Sequence, residues 1–258
     1  MIKKHRIIHD GLCADLYVPE GRPSIGTAVY LYGFPGSMGQ TDPVQQLVKF
    51  GFSVLQPHFP GSYDSSGKCT PAACFEVLGK LEAMVQSGTL PNAKNGKHIS
   101  GVEPISVLVG HSFGAYAALH GCSPLQEVRE IFLLGPAIAF SSSLDGIGLN
   151  EDVDKQFSYI QKTRPFTYRL GGKGEWRELY SGSSDRDFER EAGKIERVFM
   201  VCGAADPYFN HELMEKNGEE IVRSVIRGDY EFFNKRVSGV AHGPAGLMQP
   251  ALEMSGIT

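Results

Sequence analysis

Apolar residues along this chain come in short β-rich runs, separated by amphipathic stretches and by turns marked with glycine or proline. Residues 5–9 and Leu12–Val18 read as two short strands, the second closed by the turn signal Pro19-Glu20-Gly21. Thr27–Tyr32 is a buried strand that runs into the loop Gly33-Phe34-Pro35-Gly36-Ser37. Thr41 then offers an N-cap with Pro43 in the first turn, and Val44, Leu47 and Val48 repeat at helical spacing until Gly51. Phe52–Leu55 is the next strand, and Phe59–Gly67 a polar loop. Thr70-Pro71 opens a helix whose apolar positions Phe75, Val77, Leu78, Leu81, Met84 and Val85 keep a helical period. Pro104–Val109, Ile131–Leu134, Val198–Cys202 and Tyr230–Phe233 are further strands, with helices expected over His211–Ile226 and Pro244–Met254.

Strands alternating with helices require crossover connections, so the pattern predicts an α/β fold with a mainly parallel central sheet flanked by helices. The block 137–194 breaks this rhythm. It is polar, contains glycine and is dotted with Phe157, Tyr159, Phe166, Tyr168, Trp176 and Tyr180. Such a block is too long for a connection inside a compact domain, which predicts a small inserted cap or lid over 137–194 on a core of 1–136 and 195–258. Its aromatics read first as the cap's own core, and Asp185-Arg186-Asp187 with Glu189-Arg190-Glu191 as a solvated helix face.

The totals narrow the partners. With 258 residues the chain can bury a large core without a disulfide or metal staple. A net charge of −4 gives no basic surface for nucleic acid. Neither a secretory signal nor an 18-residue apolar run for a membrane span is present. Five cysteines in no metal-ligand spacing point to buried free thiols, although Cys69 and Cys74 are close enough in sequence to pair. The expectation is a cytoplasmic protein acting on a small-molecule or acyl substrate, with no metal and no cofactor. The oligomeric state is left open.

One stretch carries chemistry. After the apolar run Val107-Leu108-Val109 comes Gly110-His111-Ser112-Phe113-Gly114, followed by the alanine-rich Ala115-Tyr116-Ala117-Ala118-Leu119. A Gly-x-Ser-x-Gly turn between a strand and a helix thrusts its serine outward, the glycines allowing the two elements to pass closely. A serine hydroxyl needs a base, and the base needs a carboxylate to orient it. In a parallel sheet these gather at the carboxyl ends of strands. Asp206 lies just past the Val198–Cys202 strand, and His242 lies in a glycine-flanked loop after the last strand. Asp229 is the rival acid, but it precedes its strand. His5, His9 and His58 precede the elbow, His98 lies in a surface loop, His120 lies within a helix, His211 starts one, and His111 points off the turn as packing or hydrogen-bonding structure.

In its Gly110–Gly114 elbow, its Gly203-Ala204-Ala205-Asp206 turn and its Gly239-Val240-Ala241-His242 loop, the chain resembles the α/β-hydrolase superfamily over roughly 25–135 and 195–255. The resemblance implies Ser112 as nucleophile, His242 as base and Asp206 as orienting acid. It also implies an oxyanion hole from the backbone N–H groups of Phe34 and Phe113. Tyr32 stands where the superfamily often has histidine. Gly33, Phe34, Tyr63 and Phe113 are expected around the substrate, the aromatic rings offering an apolar wall. Hydrolysis of an ester, thioester or related acyl bond is the leading reading. Acyl transfer, peptide cleavage and a non-catalytic ligand-binding role are the alternatives. The Walker lysine is missing after Gly33, and a dehalogenase would want a carboxylate in place of Ser112.

Overall fold

The chain begins as a hairpin. Strand β1 (Ile2–His9) pairs antiparallel with β2 (Leu12–Pro19) from Ile2↔Pro19 to His9↔Leu12. Asp10 (φ 46) and Gly11 (φ 76) make its turn, the positive φ pair that Asp-Gly favours in two-residue hairpins. The first strand thus starts earlier than its apolar pattern suggested, because Lys3 and Lys4 lie exposed on a sheet edge where alternation is not enforced.

A computed structural model describes residues 2–36, 38, 42–138, 153–181, 190–191 and 194–256. The remaining elements are β3 (Thr27–Leu31), α1 (Asp42–Phe50), β4 (Ser53–Pro57), α2 (Pro71–Gln86), β5 (Ile105–His111), α3 (Phe113–Gly121), β6 (Glu130–Leu134), α4 (Val153–Thr163), α5 (Lys173–Tyr180), β7 (Arg190–Glu191), β8 (Arg197–Gly203), α6 (His211–Val225), β9 (Ile226–Arg227), β10 (Glu231–Val237) and α7 (Pro244–Ser255). Eight strands form one sheet in the order β1-β2-β4-β3-β5-β6-β8-β10. Pairing is antiparallel from β1 through β4 and parallel from β4 to β10. Strands β3, β4 and β6 are buried at every residue, so apolar side chains follow one another on both faces in Ala28–Leu31, Val54-Leu55 and Ile131–Leu134.

Thr70 caps α2 as expected, its Oγ1 accepting from Ala73 N at 3.3 Å. The proposed Thr41 cap lies outside the described residues. Arg190 and Glu191 correct the expected helix face: they form β7, paired parallel with β9. Residues 185–189 lie outside the described residues. All five cysteines are free and buried, with Cys69 Sγ 3.9 Å from Cys74 Sγ. Among the described residues no helix is long and apolar enough to cross a membrane.

The described part of the block after β6 is laced to the loop before α2. Tyr168 bridges Ser62 and Leu170 bridges Cys69. Tyr63 N donates to Thr167 O at 2.7 Å, Arg169 N to Gly61 O at 2.7 Å and Cys69 N to Arg169 O at 2.9 Å. These bonds seat α4 and α5 beside the carboxyl ends of the central strands.

Candidate active site

Ser112 sits between β5 and α3 with φ 55 and ψ −125, a region L-residues avoid. Its glycine neighbours explain why the turn holds that geometry. A Cβ on Gly110 would lie 2.4 Å from Ala115 Cα, and one on Gly114 would lie 2.2 Å from Leu31 O. Only bare backbone lets strand and helix pass so closely. Ser112 N donates to Leu134 O at 3.1 Å and Ser112 O accepts from Ala137 N at 3.1 Å, so the end of β6 fixes the turn from the other side.

The expected acid and base meet. His242 Nδ1 lies 2.6 Å from Asp206 Oδ2. A carboxylate oxygen only accepts, so Nδ1 carries the proton and Nε2 keeps its lone pair. Asp206 Oδ1 accepts from Tyr208 N at 2.8 Å, which holds the second oxygen and fixes the carboxylate plane. Two glycines make room for the pair. A Cβ on Gly135 would stand 3.2 Å from His242 Nδ1 and 3.4 Å from Asp206 Oδ2. A Cβ on Gly203 would stand 2.3 Å from Val240 O, in the loop that carries His242.

His111, beside the serine, reaches the same loop. Its Nε2 donates to the His242 carbonyl at 2.7 Å, and its ring lies 4.8 Å from the His242 ring. Burial first, and the neighbouring His242 second, push its pKa down to about 3, so it stays neutral. Its Nδ1 has no hydrogen-bond partner among the described residues.

The loop after β3 starts at the serine: a Cβ on Gly33 would lie 3.0 Å from Ser112 Cβ. Tyr32 takes over the support that a histidine would give. Its fully buried hydroxyl accepts from Phe59 N at 3.1 Å and donates to Ser62 Oγ at 3.0 Å, since Ser62 spends its own proton on Phe59 O at 2.7 Å. Further along, Gly36 O accepts from Tyr63 Oη at 3.1 Å, Arg164 Nη1 at 2.8 Å and Tyr168 Oη at 2.9 Å. The loop is therefore tied both to the core and to the segment after α4.

No protein-family model matches this sequence, and no curated protein matches it either. Solved structures do. Est1E from Butyrivibrio proteoclasticus with ferulic acid bound superposes with a TM-score of 0.61 at 16% identity, over 98% of this chain and 95% of that one. The esterase domain of a Rhodothermus marinus protein gives 0.56 at 16%, over 100% and 96%. An N-acyl homoserine lactonase complexed with N-hexanoyl homoserine gives 0.56 at 16%, over 99% and 94%. The chain has an α/β-hydrolase fold.

On this hydrolase fold the described residues of the 137–194 block do more than pack on themselves. Trp176 stacks on Phe34 at 4.4 Å and 16°, and its ring lies 5.4 Å from that of Phe113. Tyr168 meets Phe34 edge-on at 5.3 Å. Tyr159 and Phe166 instead face solvent. The Phe34 and Phe113 rings expected as an apolar wall are thus covered by Trp176 and Tyr168, and Tyr63 spends its hydroxyl on the loop, donating to Gly36 O and accepting from Met38 N at 3.1 Å.

A second polar cluster lies away from the elbow. Asp15, buried, takes Arg6 Nε at 2.7 Å and Lys4 Nζ at 2.9 Å, with His58 Nε2 at 3.7 Å. Burial works against its charge, but His58, Arg6 and Lys4 together outweigh it and hold its carboxyl well below the ordinary range. Cys13, His58 and Asp64 place ligand-type atoms within 4.8 Å of one another. Arg6 also pairs with Asp64, so two cations already neutralise this corner and a further one meets repulsion.

Sequence reasoning missed Gly135, the Gly203 contact and Trp176. Gly135 carried a readable signal, a glycine closing a buried strand. Trp176 carried none, since its partner Phe34 is remote along the chain.

Proposed function

We propose that the protein is a serine hydrolase that cleaves a carboxylic ester, thioester or related acyl bond through an acyl-enzyme on Ser112. The observation that carries this reading is the Asp206–His242 hydrogen bond of 2.6 Å, which leaves Nε2 as a free base in the loop tied by His111 to the Ser112 turn. Est1E with ferulic acid, the Rhodothermus marinus esterase domain and the homoserine lactonase share the fold, which favours ester chemistry over other uses of it.

Each group has one task. His242 Nε2 takes the proton from Ser112 as its oxygen attacks the carbonyl carbon, then delivers it to the leaving group. Asp206 holds the ring in the Nδ1–H tautomer and stabilises the imidazolium that forms. The backbone N–H groups of Phe34 and Phe113 receive the developing oxyanion, a contribution of about 3 kcal/mol per donor in well-studied cases. Water, activated by the same imidazole, releases the acyl group. No step needs a metal or cofactor, and a cytoplasmic setting suits the five thiols.

Ser112→Ala tests the assignment. Turnover of p-nitrophenyl acetate should fall by on the order of 10⁴ or more, with circular dichroism and melting unchanged. A fluorophosphonate should add to Ser112 in the wild type, as peptide mass spectrometry reads directly. Unlabelled Ser112 together with unchanged turnover in the variant would falsify it.

A further inference from the structure

We infer that Trp176 closes the apolar side of the pocket at Ser112, so that the enzyme accepts only short acyl groups, acetyl or propanoyl, and that Trp176 sets this limit. The inference rests on the serine-hydrolase reading and adds the substrate class to it. It begins from an asymmetry in what is open around the serine. On one side stand the rings of the two oxyanion residues. Phe34 is 7% exposed and Phe113 is 2% exposed, and Trp176, which touches both, has no exposed surface. So little exposed area leaves beside these rings a space for a small group and not for a long alkyl chain. On the other side His242 is 19% exposed and the Tyr208 ring, 5.0 Å from it, is 52% exposed. Among the described residues, access and the leaving group therefore belong to the His242 side, and the acyl group is left the space next to Phe34 and Phe113.

Trp176 is held there by more than contact. Its Nε1–H donates to Cys69 O at 3.2 Å, which fixes the ring plane against Phe34. Cys69 O also accepts from Gly171 N at 3.2 Å, so the segment entering α5 is pinned at the same carbonyl. The indole thus cannot swing aside without breaking a buried hydrogen bond, which a rotamer change in a loosely packed ring would not require. Among the described aromatics of this block, Tyr168 meets Phe34 alone of the two rings, Tyr159 and Phe166 face solvent, and Trp176 lies on both.

The test is a chain-length series of p-nitrophenyl esters from acetyl to octanoyl, with matched p-nitrophenyl alkylphosphonates as suicide probes, on the wild type, Trp176→Leu and Trp176→Ala. In the wild type, kcat/KM and labelling rate should both fall steeply beyond propanoyl. Replacing the indole frees room for several methylenes. Each one that enters should raise kcat/KM by about fourfold, so the preference in Trp176→Leu and Trp176→Ala should invert toward longer chains. If both of these variants fail to fold, Trp176→Phe, which keeps an aromatic ring but frees the space of the second one, replaces them and should shift the preference the same way, by a smaller amount. Equal labelling of Ser112 by methyl- and octylphosphonate in the wild type overturns the closure while leaving the nucleophile standing. A folded Trp176→Leu with the wild-type profile overturns the role of Trp176. Absence of labelling by every probe overturns the hydrolase reading and this inference with it.

Discussion

Among the described residues, two buried carboxylates each face an imidazole, Asp206 with His242 and Asp15 with His58, and they are equally buried at 2% exposure each. Burial therefore does not distinguish them. What differs is how many cations each acid already serves. Asp15 has Lys4 and Arg6 on its oxygens, and His58 stands off at 3.7 Å, itself only 2% exposed. Among the described side chains, Asp206 has only the imidazole, at 2.6 Å, its other oxygen going to a backbone N–H. An acid that already serves two fixed cations is neutralised without its ring, whereas one with a single imidazole partner stabilises the cation that forms when that ring takes a proton. The first arrangement suits an anchor between the N-terminal hairpin and the loop after β4; the second suits proton transfer.

Breaking the two pairs in parallel sharpens this contrast. The largest effect is expected at the imidazoles: His242→Gln should lower kcat/KM for a chromogenic acetate by on the order of 10⁴ or more, whereas His58→Gln leaves it unchanged. The acids come next. Asp206→Asn should cost about 10³- to 10⁴-fold in kcat with little change in melting. Asp15→Asn should keep turnover and lose stability, by about 1–3 kcal/mol in urea titrations, less than for a fully buried pair because Lys4 and Arg6 are half-exposed. Since the folded carboxyl of Asp15 is held below its unfolded value, its contribution is present above the ordinary carboxylate range and is lost as pH falls through the folded value. The gap between wild type and Asp15→Asn should accordingly close in strong acid, and a gap independent of pH would count against the ion-pair account.

His111 gives a smaller effect. His111→Leu removes the donor to the His242 carbonyl and should lower kcat by about ten- to a hundredfold with KM little changed, whereas His111→Gln, which keeps an N–H donor, should recover part of the loss. The native state refuses His111 a proton that the unfolded chain accepts near 6.5, so stability declines as pH falls from 6.5 toward the folded value of about 3. That slope should be shallower in His111→Gln. Smallest is Tyr32→Phe, which orphans Phe59 N and should cost about 1–3 kcal/mol of stability while changing turnover little.

In the sequence His58 was set aside because it precedes the elbow, while Asp206 and His242 follow it past later strands; Asp15 carried no signal as a partner of His58. The central strands were legible for a related reason, since burial on both faces leaves an apolar run that needs no partner to be recognised. The N-terminal edge strand was read short because exposed lysines obscure its alternation. Gly203 and Gly135 were visible as glycines but not as the places where the Asp206–His242 pair passes, because a close approach depends on segments that only the fold brings together. The block after β6 was the least legible part. The positions of Trp176 and Tyr168 depend on contacts with Phe34, more than a hundred residues away, and no local periodicity encodes them.

The stacking of Trp176 on Phe34 has a practical consequence, because the chain contains a single tryptophan. Excitation of the indole reports on one place in the molecule, the contact of α5 with the loop after β3. Its emission should be blue-shifted while the ring is sealed and should move to the red as soon as water reaches it, before the sheet melts. The protein thus carries its own fluorophore for timing when that contact opens, without an added label.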